Sequence, residues 1–72
     1  MAKIKKVSTL ADLNFLAQKD ERYRKLMICA AENLGGVVDG DSKKAYDILR
    51  AEALEGDEKS VVGEVNFCRD LV

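Results

Sequence analysis

The sequence predicts an all-α fold, a compact domain of three or four helices. Three observations predict it. None of the 72 residues is proline, and proline is the residue that breaks helix interiors. The strongest punctuation is Gly35 with Gly36, then Gly40 and Gly56, which cut the chain into segments of helical length. Inside those segments the apolar residues return at the three- and four-residue spacings of a helix face. The alternative is a helical domain carrying a short β-hairpin or strand pair built from the termini.

The first segment opens after Ser8 or Thr9. Thr9 with Asp12 three residues later approximates a capping box. Leu10, Leu13, Leu16 and Ala17 then share a face. At Asp20 the helix either breaks, with that aspartate capping the next one, or runs on. The second segment has the clearest stripe: Tyr23, Leu26, Met27, Ala30, Ala31 and Leu34. Residues 26–31 are all apolar, so this helix should be central, and Gly35 stands where a left-handed C-cap belongs.

Val37 and Val38 lead to Asp39, Gly40, Asp41 and Ser42, a stretch rich in turn formers. Asp41 or Ser42 can cap a third helix, with Ala45, Ile48, Leu49 and Ala53 as its stripe and Gly56 as its stop. The last segment starts at Asp57. As a helix it aligns Val61, Val65, Cys68 and Val72; as a strand it alternates Val61, Val65 and Phe67 with Glu64 and Asn66. The aspartate cap favours the helix. The strand would need a partner, and only residues 3–7 offer one.

Seventy-two residues make a single helical domain, 1–72, because a chain this short cannot build two cores. It buries only roughly 60% of the surface its unfolded form exposes, so a staple of some kind is expected: a disulfide, a metal or a partner. Two cysteines, Cys29 and Cys68, each lie alone in an apolar segment, and the expectation is a pair of reduced thiols. There is no histidine and no closely spaced cysteine pair, so no metal and no cofactor is expected. That leaves a homodimer or another protein as the staple.

Residues 1–6 resemble the basic start of an export signal, but Asp12 and Asn14 interrupt the stretch where its apolar segment belongs. No apolar run nears the ~20 residues that span a bilayer. A cytoplasmic protein, with no membrane partner, is the expectation. Charge is nearly balanced, twelve basic against thirteen acidic residues, and this counts against nucleic acid, which selects for a basic excess.

Catalytic chemistry has few candidates. General acid–base work draws on histidine or on two carboxylates with split pKa values. Glu52, beside its helix's apolar stripe, is the one candidate carboxylate, and a rim Glu reaching water explains it as well. Cys29 and Cys68 lack a base to activate them. Asp39, Gly40 and Asp41 begin like a calcium loop, but the twelfth position is Arg50 where a glutamate is required. Gly35 and Gly36 lack the Gly-Lys-Ser/Thr continuation of a phosphate loop. The expectation is no enzyme, with no catalytic, cofactor-binding or metal residues.

Two binding patterns compete. Ala31, Leu34 and Gly35 match the first half of a helix-turn-helix, but residues 37–41 intrude where a tight turn belongs. The following helix offers Lys43 and Lys44 together with Asp47, Glu52 and Glu55. Leu13, Leu16, Asp20, Tyr23, Met27, Ala30 and Leu34 form a heptad seam that could pair two copies along one helix of ~37 Å. Its flanks carry Ala17, Leu26 and Ala31, which suits packing within the chain better.

The residues that miss their own stripe say most. Phe15 points roughly opposite Leu13 and Ala17, Ile28 and Cys29 lie away from Tyr23, Met27 and Ala30, and Phe67 sits off the Val61–Val65–Cys68 face beside Gly63. Neighbouring helices could cover all four. Left uncovered, Phe15, Ile28, Cys29 and Phe67 make a protein-binding patch. The function expected is a small non-catalytic interaction protein, a regulator, adaptor or inhibitor. The alternative is a DNA-binding transcriptional regulator with a divergent helix-turn-helix.

Overall fold

The structure, a computed structural model, describes residues 4–71. Lys3, at the edge of the stretch offered as a strand, and Val72, at the end of the last stripe, lie outside the described residues, as do Met1 and Ala2. Four helices occur in order: α1 (Leu10–Lys19), α2 (Glu21–Asn33), α3 (Ser42–Glu55) and α4 (Glu58–Cys68). No strand occurs among the described residues. The domain is all-α.

Every helix begins on a side-chain cap. Thr9 Oγ1 accepts from the Asp12 amide, Asp20 from Arg22, Asp41 from Lys43 and Lys44, and Asp57 from Lys59. Each satisfies N–H groups that a first turn leaves without a helical partner. Asp20 resolves the first ambiguity. Its backbone is extended, with φ −133° and ψ 118°, so it ends α1 and starts α2. Of the two alternatives for residues 10–34, two helices is the one the structure takes. From α2, Arg24 Nη1 reaches back and donates to the Ala17 carbonyl at 2.7 Å, pinning the last turn of α1.

The end of α2 is a Schellman closure. The Gly35 amide donates to Glu32 O and the Gly36 amide to Ala31 O. Gly35 adopts φ +93°, the left-handed region that glycine enters without cost. Gly36 has a different reason. A Cβ there would lie 2.5 Å from Ile48 Cδ1 and 3.1 Å from Ala31 O, so the missing side chain lets α3 close on the end of α2.

Helix α2 packs against α1, α3 and α4, and α3 packs against α4 and more lightly against α1. That central place reflects residues 26–31, apolar on more than one face. The core comprises Leu10, Leu13 and Ala17 of α1, Tyr23, Leu26, Met27, Ala30 and Ala31 of α2, Ala45 and Leu49 of α3, and Val61, Val62, Val65 and Cys68 of α4. Val7 and Val38 join it from the connections. The heptad seam is spent here: Leu13, Tyr23, Met27 and Ala30 are buried within the chain, and Leu16 and Leu34 pack against them.

Residues 4–8 belong to no helix and no strand. Side chains hold them instead. Asn66 of α4 accepts from the Val7 amide at 2.9 Å and donates to the Val7 carbonyl at 3.0 Å. The Lys5 amide donates to the Tyr23 hydroxyl, and Arg69 Nη1 donates to the Ile4 carbonyl. The last segment is thus helical, and it holds the terminal stretch in place. No helix among the described residues is long and apolar enough to cross a membrane.

Candidate functional site

The four off-stripe residues divide two and two. Phe15 on α1 is 54% exposed and Phe67 on α4 is 59% exposed. Ile28 and Cys29 on α2 are half-buried against the core, because the central helix has neighbours on several sides. A wheel drawn for α2 alone misplaces them for that reason. Two of the four are thus exposed side chains, and two are partly covered.

The exposed pair differs in setting. At Phe15 the Lys19 ammonium lies 4.3 Å from the ring centroid. That is a cation–π contact at an exposed site, worth about 0.5–1 kcal/mol. Phe67 has Gly63 four residues earlier on the same helix, and apart from its chain neighbours and the helix's own backbone nothing comes within 4 Å of where a Cβ of Gly63 would stand. A partner's side chain or backbone can therefore approach α4 closely beside the Phe67 ring. Phe15 and Phe67 stand on helices that both pack on α2.

Three exposed apolar residues were not singled out by the sequence patterns: Val37 (79%), Leu54 (83%) and Leu71 (59%). Leu54 had the same signal as Phe15, since it lies one residue past Ala53 on the α3 stripe. Val37 and Leu71 had none. Val37 sits beside the buried Val38 in a connection, and Leu71 lies past the end of α4, where no periodicity assigns a face.

A groove of about 440 Å³ lies between α1, α2 and α3. Met27 and Ala17 contribute its apolar floor, and Gln18, Arg24, Lys43 and Tyr46 its polar sides. None of the four off-stripe residues lines it. Arg24 is already engaged with the Ala17 carbonyl there.

Cys29 and Cys68 are both free thiols. The structure brings them to one place. Asn33, one turn beyond Cys29 on α2, has its amide nitrogen 3.3 Å from Cys68 Sγ and 4.0 Å from Cys29 Sγ. The pKa of the Cys68 thiol is pushed up to about 12, first by burial and then by the neighbouring Cys29, while the Asn33 amide pulls the other way. Their separation along the chain hid this meeting. Elsewhere, no three His, Cys, Asp or Glu residues among those described are placed to hold a metal ion. Asp39 and Gly40 adopt positive φ in a turn, and Asp41 is occupied as the α3 cap. Glu52 is half-buried on α3.

Between α2 and α3 lie residues 34–41, in place of the short turn of a helix-turn-helix. Ala45 is buried and Ile48 packs against the core, while Lys43 and Lys44 are exposed at the start of α3. No protein family model matches the chain, and neither does any curated protein or any solved structure.

Proposed function

We propose that the chain is a small non-catalytic interaction protein, a regulator, adaptor or inhibitor, that works by occupying the surface of a protein partner. One observation carries the reading: both phenylalanines, Phe15 and Phe67, stay outside the core. Full burial of a Phe side chain is worth roughly 1.5–3 kcal/mol, and a domain of this size is stable by only a few kcal/mol. This fold forgoes most of that gain twice. Aromatic side chains are favoured as interface anchors, because they desolvate a large area with few rotatable bonds. The bare surface at Gly63 supplies room for a partner beside Phe67.

The test pairs stability with association. Wild type, Phe15→Ala and Phe67→Ala are melted, then used as bait in lysate from the native organism, with captured proteins read by mass spectrometry. The expected result is near-equal melting for all three, with a protein retained by wild type and lost from at least one variant. If both variants capture what wild type captures, the two rings are not anchors and the reading fails. The competing function, a DNA-binding regulator, draws on Lys43 and Lys44 at the start of α3. It would be favoured by a retarded duplex band that weakens steeply with salt.

A further inference from the structure

Two thiols, far apart in sequence, meet across one amide side chain in this fold. Cys29 belongs to α2 and is half-buried, so reagents in solvent can reach it. Cys68 ends α4 and is fully buried. Asn33 touches both sulfurs and is itself exposed, so its side chain can swing into water and clear the space between them. We propose that Cys29 and Cys68 form a modification site, a dithiol that hydrogen peroxide oxidises to an intrachain disulfide tying α2 to the last turn of α4.

The chemistry takes two displacements. In the first, the Cys29 thiolate attacks one oxygen of the peroxide. An S–O bond forms, the O–O bond breaks, and the departing hydroxide takes up a proton and leaves as water. Cys29 is then a sulfenic acid. In the second, Cys68 sulfur attacks Cys29 sulfur. The S–S bond forms, the S–O bond breaks, and the hydroxyl leaves as a second water with the proton that Cys68 gives up. In total the two thiols lose two electrons and two protons to the peroxide.

The surroundings assign the two roles. Susceptibility to peroxide rises with accessibility and thiolate character, and of the two only Cys29 is accessible. Burial keeps Cys68 protonated and away from solvent peroxide, which suits a resolving thiol held in reserve. What disfavours its thiolate is burial first and the neighbouring Cys29 side chain second. The Asn33 amide, donating to Cys68 Sγ, favours the thiolate throughout.

The experiment uses the full folded chain at neutral pH with hydrogen peroxide near stoichiometric. Remaining thiols are alkylated, and the products are read by intact mass and peptide mapping. The expected product is a monomer that has lost two hydrogens, carries no free thiol, and yields a Cys29–Cys68 cross-linked peptide that dithiothreitol reverses. Its rate of formation should not change in sub-denaturing urea. In Cys68→Ala, Cys29 should go on to the sulfinic acid or to an interchain disulfide, and in Cys29→Ser, Cys68 should stay reduced. Wild type in which Cys29 is overoxidised while Cys68 remains alkylatable overturns the proposal. So does a disulfide whose rate climbs with urea, since it would form from unfolded chain. Both of these outcomes are read on wild type, so the proposal stands or falls even where a variant does not fold.

Discussion

Asn66 closes two hydrogen bonds on the backbone of Val7, accepting from its amide and donating to its carbonyl, across 59 positions of sequence. The side chain of a helical residue does for residues 4–8 what a neighbouring strand does in a sheet. With Val7 buried at this point, both backbone groups would otherwise lack partners in a place with little water. Asn66→Ala should destabilise the domain by about 1–3 kcal/mol, the usual cost of leaving buried polar groups unmade. Urea denaturation measures the loss, and amide exchange at Val7 should accelerate with it. Wild-type stability in the variant would show that the tether contributes nothing.

The core has its own test at Met27 and Leu49. Both are buried on the facing stripes of α2 and α3. Truncating either to Ala removes packed methylenes and leaves a void, at about 2–4 kcal/mol. Much of a marginal domain would then be unfolded at room temperature, visible as lost helical circular dichroism. A Leu49→Ala protein that melts with wild type would contradict the packing of α3.

Gly36 and Ile48 should be coupled. An alanine at 36 drives its Cβ onto Ile48 Cδ1, and such overpacking costs roughly 1–3 kcal/mol. Ile48→Val removes the Cδ1 atom. The double variant should therefore lose less than the two single losses added together. Strict additivity would mean that Gly36 acts through its backbone and not through this contact.

Acid stability should depend on Asp20. The Arg22 guanidinium donates to its carboxylate at 2.7 Å, and the Arg22 amide donates as well, so its pKa is held below the ordinary 3.8. A carboxylate lowered on folding contributes stability in full above its unfolded value. That contribution is lost as pH falls through 3.8 toward the lowered folded value. Asp20→Asn keeps the capping oxygen and removes the charge, so its stability should fall less across that acid range, and the difference from wild type should shrink in high salt. Parallel pH profiles would rule out the Arg22 pairing as the cause.

Thiol reactivity should separate the two cysteines. In denatured reduced protein both react. In the native state at mildly alkaline pH, Cys29 should be alkylated first, and Cys68 should react only as the domain opens, because burial holds the pKa of its thiol near 12. Equal native rates for the two would place Cys68 in solvent.

Much of the candidate surface was legible from periodicity. Phe15 and Phe67 violate the stripe of their own helices, and both are exposed. Ile28 and Cys29 violate theirs in the same way and are partly covered. The rule works for a helix with one packed face and fails for α2, which packs on three others. No pattern local to α2 or α4 could announce the Cys29–Asn33–Cys68 contact, since its members stand on separate helices.

Local order was enough to mark where most helices begin and end. Thr9, Asp41, Asp57 and the Gly35–Gly36 stop act through hydrogen bonds that span two to five residues, and such bonds are written in neighbouring positions. The Asp20 break is local as well, an extended residue whose carboxylate caps α2, and two choices waited for distant contacts: whether the last segment was helix or strand, and what held residues 4–8. In both, the deciding groups come from elsewhere in the chain. Val61, Val65 and Cys68 form one buried face only on a helix. Asn66, once that helix exists, stands where Val7 needs a partner.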